Sequence, residues 1–384
     1  MARPISRAIP SDRTKTILVL SSQHAFEAFA GPVPEAQRSR YVFLKPDRGA
    51  RIYAALRDAR LVLSQTYLRP EVNRWIFAAR RLGVPTLLML DGPLEWSNLH
   101  TNPSLAQPGA GVARSLYDPI VHDAVATIGE AQSRFIASRN PNRGIAFMSY
   151  ANQRIRTNAP TAASRSATDA PGPSFDFLLT TARTAAFDAR ERTDLTKALA
   201  TCAAALAAAG QRTLVRIFDD EIRQSVQTAA PGAHFDASGS SAFALGQSRC
   251  VIGTPSSVLL EAMHHDRPTA TLVFRDSPLL YATGWILGGF SDPKTTFASM
   301  LARDPDRMAL QREALREHLS DADFFEQVEA IVQGDRLADP RALDALDLEF
   351  ENQVLRQLVG FRARLFAPLY RALRGLRSIN APSS

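Results

Sequence analysis

The sequence from residue 251 to residue 268, VIGTPSSVLLEAMHHDRP, decides the fold of the second half of this chain. The pattern indicates the end of an apolar strand, a tight Gly-Thr-Pro-Ser-Ser turn and a helix that begins at Ser256 or Ser257. Another apolar run, from Pro268 to Phe274, follows after one helix length. A strand, a helix and a second strand in this order predict two parallel strands joined by a crossover helix.

The turn in this unit is a candidate phosphate-binding site. The first N–H groups of a helix lack intrahelical partners and carry a partial positive charge. The turn holds Thr254, and the hydroxyls of Ser256 and Ser257 lie beside these amides, so together they could hold a phosphate. Glu261, further along the helix, could reach a ligand over the turn. In a simpler interpretation, Ser256 only caps the helix and Glu261 is a solvated acid.

The composition bounds the class of protein. A length of 384 residues with 45% apolar residues fits two globular domains. The two cysteines, Cys202 and Cys250, belong to no CxxC or Cys/His cluster, so we expect a reducing cytoplasm and no structural zinc. No apolar run is long enough to span a membrane, and the first residues lack the apolar core of a signal peptide. The sequence therefore predicts a cytoplasmic protein, or one attached peripherally to the inner membrane.

The net charge of +7 is concentrated at the end of the chain. Residues 352–384 contain no acidic residue but six arginines, and an apolar stripe at helical spacing runs through residues 354–373. Two interpretations are open for this segment: a helix packed on the first domain, which we favour for 343–359, or a membrane-surface helix, which we favour for Phe361 to Arg377. No zinc finger or stripe of aromatic and basic residues is present, so we expect no nucleic-acid partner.

The first half of the chain alternates short apolar runs with helical patterns. We expect strands at 16–20, 41–44, 60–64, 85–90, 124–128 and 144–148, with helices at 50–59, 70–82 and 130–138. Continuous apolar strands separated by helices indicate a parallel sheet covered on both faces. Residues 1–155 are therefore predicted to form one α/β domain. The segment 156–173, rich in Ala, Ser, Thr and Pro, is predicted to be a linker.

The second half repeats this organisation over residues 174–340. We expect strands at 175–180, 212–218, 234–236 and 249–252, and helices at 190–209, 221–228 and 240–247, before the unit described first. The sequence thus predicts two Rossmann-like parallel-sheet domains that face a cleft, followed by a C-terminal amphipathic helical segment at 341–384. Ligands of such sheets bind at the carboxyl ends of the strands and between domains.

Three features of the second half resemble the donor-binding domain of GT-B fold glycosyltransferases, especially those that build bacterial capsule, lipopolysaccharide and polyol-phosphate polymers. The first is the Ser-Ser turn with Glu261 after it, followed by Arg267-Pro268 at the next strand. The second is the strand that carries Arg216, although Phe218-Asp219 replaces the His-Pro pair of those families. The third is the order of elements over residues 175–274.

The resemblance implies a nucleotide-sugar-dependent glycosyltransferase that uses no metal or other cofactor. It implies that the donor is held by Arg183, Arg216, Thr254, Ser256, Ser257 and Glu261. Helix termini and basic side chains, including Arg275, would then offset the charge of the leaving phosphate. The pair His264-His265 and the Asp321-Ala-Asp323 cluster, which we interpret as a helix start, do not form a metal-binding pattern.

The acceptor side is predicted in residues 88–103, LMLDGPLEWSNLHTNP, which leave the carboxyl end of a strand as a long polar loop. Asp91 and Glu95 are candidate bases, and His24, after the first strand, is a third candidate base or a phosphate contact. Side chains to bind an acceptor sugar are supplied by Trp96, Asn98, His100 and Asn102. The alternative is that Asp91 belongs to a simple turn, Trp96 anchors the loop and His24 is structural.

Three hypotheses remain open. The leading one is a glycosyltransferase acting on a cell-surface glycan or a lipid-linked precursor. The second is a sugar-nucleotide epimerase of the same fold, against which the acceptor segment and the basic tail both count. The third is a non-catalytic glycan- or nucleotide-binding protein on this scaffold, which the absence of His-Pro would allow.

Overall fold

Two six-stranded parallel sheets form the framework of the protein. The computed structural model describes residues 16–106, 113–157, 173–334 and 341–358. The first sheet has the order β2-β1-β3-β4-β5-β6 with all neighbours parallel. Its strands are β1 Thr16–Val19, β2 Tyr41–Phe43, β3 Ala59–Ser64, β4 Thr86–Met89, β5 Ala124–Thr127 and β6 Ala146–Ser149.

Helices cover both faces of this sheet. They are α1 Gln23–Ala30, α2 Gly49–Leu56, α3 Pro70–Arg81, α4 Trp96–Thr101, α5 Glu130–Arg139 and α6 Gln153–Thr157. Neighbouring strand residues belong to opposite cores: Leu61 and Leu63 to one and Val62 to the other. This double burial is the reason that the strands are continuous apolar runs in the sequence.

The second sheet has the order β12-β11-β10-β7-β8-β9, again with all neighbours parallel. Its strands are β7 Phe175–Thr180, β8 Thr213–Arg216, β9 His234–Phe235, β10 Ser248–Gly253, β11 Thr269–Leu272 and β12 Trp285–Leu287. The chain builds β8 and β9 on one side of β7 and the remaining strands on the other. The strand order therefore reverses between β7 and β10, where open parallel sheets bind ligands.

The helices of the second half are α7 Ala189–Ala208, α8 Asp220–Ala229, α9 Ser241–Gly246, α10 Ser257–His264, α11 Pro293–Leu301, α12 Pro305–His318 and α13 Phe324–Gln333. The predicted fold class, two Rossmann-like parallel-sheet domains, is thus confirmed. Strand β12 and helices α1, α4, α6, α11 and α12 were not predicted from the sequence.

The last described elements return to the first domain. Helix α13 packs there through Phe324, whose ring lies 5.6 Å from that of Phe26 and 5.1 Å from that of Tyr150. Residues 345–358 are helical and bury Phe350 against Phe77, as expected for a segment packed on this domain. The segment 361–377 and most of the predicted linker lie outside the described residues.

An ion cluster fixes the start of this returning segment. The carboxylate of Asp347 is fully buried and lies 2.9 Å from Arg80 and 2.9 Å from Arg341, and it also pairs with Arg143. Arg80 in turn pairs with Asp123 at 3.3 Å. Removing one partner of such a cluster would leave a buried charge without compensation, so the segment is held firmly. Within the described ranges, none of the helices combines the length and the apolar character needed to cross a bilayer.

Candidate active site

A cleft of about 1100 Å³ lies between the two domains at the carboxyl ends of strands β4, β7, β8 and β10. Both domains line it, so a molecule bound there would contact both at once. Eleven of the residues proposed from the sequence as site residues line this cleft: Asp91, Glu95, Asn98, Asn102, Arg183, Arg216, Thr254, Ser256, Ser257, Glu261 and Arg275.

The Gly-Thr-Pro-Ser-Ser turn is packed tightly against the neighbouring strand. A β-carbon on Gly253 would lie 2.8 Å from the carbonyl oxygen of Thr180, so only glycine fits at the end of β10. The next residue, Thr254, accepts a 2.9 Å hydrogen bond from the amide of Ala182 through its hydroxyl. Thr254 therefore ties the loops after β7 and β10 together at the point where the strand order reverses.

Ser256 does not cap helix α10 with its side chain. Its hydroxyl is buried and has no hydrogen-bond partner among the described residues. Its amide donates to the hydroxyl of Tyr281 at 2.6 Å, and that hydroxyl donates back to the Ser256 carbonyl at 3.0 Å. The simple capping interpretation is therefore wrong. The amides of Ser257 and Val258, rather than that of Ser256, are the ones left without a partner in the described chain.

Arg154 joins the first domain to this turn. It lies in α6, donates a 2.7 Å hydrogen bond to the Ser257 hydroxyl, and stacks at 5.5 Å over the ring of Phe29. Its guanidinium lines the cleft. Arg154 and Tyr281 were not predicted as site residues, because neither lies in a recognisable motif.

Glu261 is almost fully buried, at 1% exposure, and is not the solvated acid of the simpler interpretation. Its negative charge acts on Arg216, whose Nη2 donates to the carbonyl of Gly239 at 3.2 Å and whose Nε lies 3.8 Å from Asp236. Burial lowers the pKa of Arg216, and the charges of Asp236 and Glu261 oppose this effect. Arginine remains charged even so, which leaves a largely desolvated cation beside the cleft.

Phe218 occupies the position where the resembling families have histidine. The guanidinium carbon of Arg216 lies 4.7 Å from the centre of its ring and that of Arg183 lies 5.4 Å away. The ring lies within cation–π range of both guanidinium groups, and all three residues line the cleft. In place of the His-Pro pair, this chain has an aromatic ring, Phe218, with the guanidinium groups of Arg183 and Arg216 close to it.

On the first domain, the candidate bases Asp91 and Glu95 have different surroundings. The Glu95 carboxylate caps α4 by accepting from the amides of Ser97 at 3.1 Å and Asn98 at 2.7 Å, and it also pairs with Arg275. The carboxylate of Asp91 is exposed, and no hydrogen bond or ion pair reaches it from the described residues. Asp91 is therefore the carboxylate that could accept a proton from a ligand.

The segment expected to be a polar loop contains helix α4. The four predicted acceptor residues therefore fall into two pairs on different faces of this helix. Asn98 and Asn102 lie four residues apart, are joined by a 2.7 Å hydrogen bond, and line the cleft. Trp96 and His100 also lie four residues apart, with tilted rings in contact at a centre-to-centre distance of 4.4 Å, and they do not line the cleft. Burial lowers the pKa of His100.

His24 does not line the cleft either. It is exposed in the first turn of α1, which is capped by the Ser22 hydroxyl through a 3.3 Å bond to the amide of Ala25. In the described part of the chain, no three His, Cys, Asp or Glu side chains are grouped so as to hold a metal ion.

Comparisons with known proteins identify the fold type. No protein-family model matches the chain, and no curated protein matches it in sequence. A Listeria monocytogenes protein, provisionally named a UDP-N-acetylglucosamine 2-epimerase, superposes with a TM-score of 0.52 at 12% identity, over 85% of this chain and 98% of that chain. The UDP-GlcNAc 2-epimerase from Neisseria meningitidis bound to UDP-GlcNAc gives a TM-score of 0.49 at 14% identity, over 83% and 100%. The wall teichoic acid polymerase TagF gives 0.48 at 11% identity, over 84% and 89%.

Identities of this size show a likeness of fold alone. The chain has the two-domain GT-B type of fold, with its cleft between two Rossmann-like domains.

Proposed function

We propose that the protein is a glycosyltransferase that moves a sugar from a nucleotide-sugar donor to a hydroxyl group of a glycan or lipid-linked acceptor. One observation carries the proposal. A single cleft has arginines and helix amides on one wall, and an unpaired carboxylate with two asparagines on the other. The first wall suits a phosphorylated leaving group and the second suits a hydroxyl-rich acceptor.

On the donor wall, the amides of Ser257 and Val258 and the hydroxyl of Ser256 would donate to phosphate oxygens. Arg154, Arg183 and Arg216 would offset the phosphate charge, which grows as the leaving group departs. Arg275 is left out of this set because its guanidinium is paired with the carboxylates of both Glu95 and Glu191. The resemblance to GT-B enzymes assigns Glu261 to hydroxyl groups of the donor sugar or ribose.

In the transfer step, the acceptor oxygen forms a bond to the anomeric carbon of the donor sugar. The bond from that carbon to the phosphate oxygen breaks, and the nucleotide phosphate leaves with the electron pair. Asp91 takes the proton from the acceptor hydroxyl, while Asn98 and Asn102 hold neighbouring hydroxyl groups. A metal is not required by this scheme, because arginines and helix amides would stabilise the leaving group.

The size of the cleft supports a reaction with two substrates. Its volume of about 1100 Å³ lies near the upper end of the ~300–1,000 Å³ range usual for small-molecule pockets, so the cleft has room for a nucleotide sugar beside part of an acceptor. We also propose that the acceptor is a precursor of a cell-surface polysaccharide, that transfer occurs in the cytoplasm, and that residues 361–377 meet the inner-membrane surface. The basic composition of these residues supports that location.

An epimerase is the second candidate, because the Listeria monocytogenes structure, which superposes with a TM-score of 0.52, is provisionally named as one. A thermal-shift screen against UDP, GDP, CMP and CDP sugars would identify the donor, since a bound ligand stabilises the folded state. Incubation with that donor alone then separates the two functions. A transferase releases the nucleotide phosphate slowly by hydrolysis, whereas an epimerase leaves the sugar nucleotide intact as a new isomer. Stabilisation by none of the sugar nucleotides would contradict both.

A further inference from the structure

The loop of residues 275–284, which joins β11 to β12, contacts both walls of the cleft. Arg275 stands near its start and Tyr281 near its end. Their partners belong to different walls: Glu95 caps the helix of the acceptor wall, and Ser256 lies in the turn of the donor wall.

Arg275 connects two helix N-termini, one in each domain. It pairs with Glu95 at the start of α4 and, at 3.0 Å, with Glu191 in the first turn of α7. The side chains of all three residues are only 13–14% exposed, so solvent screens these ion pairs weakly. Because Glu95 also holds the amides of Ser97 and Asn98, the orientation of α4 depends on a residue of the donor domain.

Tyr281 holds the turn at the other end of the loop. Its hydroxyl is buried and is bonded to both the amide and the carbonyl of Ser256. Fixing the peptide groups on both sides of Ser256 determines where the next two amides, those of Ser257 and Val258, lie. Burial raises the pKa of Tyr281 far above the physiological range, so the phenol keeps the proton that it donates.

The middle of the loop is packed against the first domain. Leu280 contacts the apolar core of that domain, and Pro278 and Leu279 lie around a small gap together with Leu94 and Trp96. The two ends of the loop are therefore joined by a segment that is itself anchored.

We propose that loop 275–284 sets the position of the donor turn relative to the acceptor helix, with Arg275 and Tyr281 as positioning residues for one substrate each. This inference rests on the proposed function. Neither residue takes part in the bond changes: Arg275 acts through Glu95 on Asn98 and Asn102, and Tyr281 acts through Ser256 on the phosphate-binding amides.

The first test uses the full chain without any substrate. Hydrogen exchange is followed in peptides covering residues 94–102 and 254–262 of the wild type, Arg275→Gln and Tyr281→Phe. Arg275→Gln should speed exchange in 94–102 by about tenfold, the effect of losing one charge-assisted hydrogen bond, and leave 254–262 unchanged. Tyr281→Phe should give the opposite pattern. Equal changes in both peptides, or none in either, would overturn the inference.

The second test uses the identified donor and acceptor. Arg275→Gln should raise the acceptor KM about tenfold with the donor KM unchanged, and Tyr281→Phe should raise the donor KM and not the acceptor KM. Arg275→Lys, which keeps the charge, should restore part of the loss. The matched control is Arg312→Gln, since Arg312 is an exposed arginine of the same domain that pairs with Asp266 and does not line the cleft.

The two proposals fail separately. A wild-type protein that binds no sugar nucleotide refutes the transferase, whereas the exchange pattern needs no ligand and tests the loop by itself.

Discussion

The guanidinium of Arg154, in the first domain, donates a 2.7 Å hydrogen bond to the hydroxyl of Ser257, in the second. The site at the start of α10 is therefore built from both domains, and its positive charge comes partly from across the cleft. The Arg154 guanidinium carries a positive charge and orients the Ser257 hydroxyl by its hydrogen bond. It can therefore help to bind an anion at this turn only while the two domains stay together.

Replacing Arg154 by glutamine should weaken donor binding. The loss of one charge-assisted contact predicts a rise in Kd of about 10- to 100-fold, measured by calorimetry with the nucleotide diphosphate of the donor. Arg156→Gln is the control, because Arg156 lies in the same helix, bonds to the Ser320 carbonyl at 2.9 Å, and does not line the cleft. If the wild type and Arg154→Gln bind the nucleotide diphosphate equally well, Arg154 does not contribute to donor binding.

Ser256→Ala should have opposite consequences in the free and the donor-bound protein. The hydroxyl is buried and has no partner among the described residues, so its removal should leave the free protein as stable or raise its stability by up to about 1 kcal/mol. With the donor present, the phosphate would lose one hydrogen bond, and the donor-induced rise in Tm should shrink. Ser257→Ala is the comparison, because it removes the acceptor of Arg154 even without a ligand. An unchanged donor-induced shift for Ser256→Ala would show that this hydroxyl does not bind the donor.

Asp91→Asn should abolish most of the transfer while leaving donor binding intact. A general base contributes about 10²- to 10⁴-fold to the rate, and asparagine keeps the shape of the side chain but cannot accept the proton. Steady-state transfer assays give kcat, and thermal shift reports donor binding. A kcat within a few-fold of the wild type would exclude Asp91 as the base.

The buried His122 should make the protein less stable in mild acid. It is fully buried, its Nε2 lies 2.9 Å from the Ser64 hydroxyl, and burial, with Arg80 and Arg341 nearby, lowers its pKa to about 3. The pKa of His122 in the folded protein lies below its ordinary value of about 6.5, so the unfolded chain takes up a proton at a higher pH than the folded protein does. The folded state therefore has its full stability above pH ~6.5 and loses stability as the pH falls from there toward 3.

Urea unfolding of the wild type should therefore give a free energy of unfolding lower by roughly 2 to 3 kcal/mol at pH ~4.5 than near neutrality on account of this histidine alone. His122→Gln cannot take up the proton, so its profile should be flatter by that amount. Parallel profiles for the two proteins would show that His122 does not cause the loss.

The sheets were predictable because their strands are buried on both faces. In β7 three fully buried residues, Phe177, Leu178 and Leu179, are consecutive and all apolar. Short apolar runs of this kind, separated by helical patterns, are typical of a parallel sheet covered on both faces. Strand β12 was missed because it is a three-residue edge strand whose central residue, Ile286, is 43% exposed. Helix α1 was missed because it has only eight residues and follows a strand directly.

The site was predictable only where it lies on strand ends. Asp91, Arg216 and the Ser-Ser turn could be placed because the carboxyl ends of parallel strands lie along one edge of each sheet, where ligands bind. The pairing of Arg154 with Ser257 joins residues 103 positions apart and depends on the relative orientation of two domains, which local periodicity does not encode. Trp96 was misassigned because the helix at 96–101 was not predicted from the sequence; in that helix Trp96 lies on the same face as His100 and away from Asn98.

Helix α13 and residues 341–358 follow the second domain in the sequence but pack on the first domain. This connection determines where the chain can be cut to make a chimeric protein. A donor lobe exchanged for another by a single junction near residue 160 would remove Phe324 and Asp347 and expose the cores and the buried arginines that they cover. A transplant with two junctions, one in the linker and one just before α13, would keep both terminal helices with their own partner. Under the proposed function, the specificity for the donor could then be changed by exchanging this segment alone, with the rest of the protein left as it is.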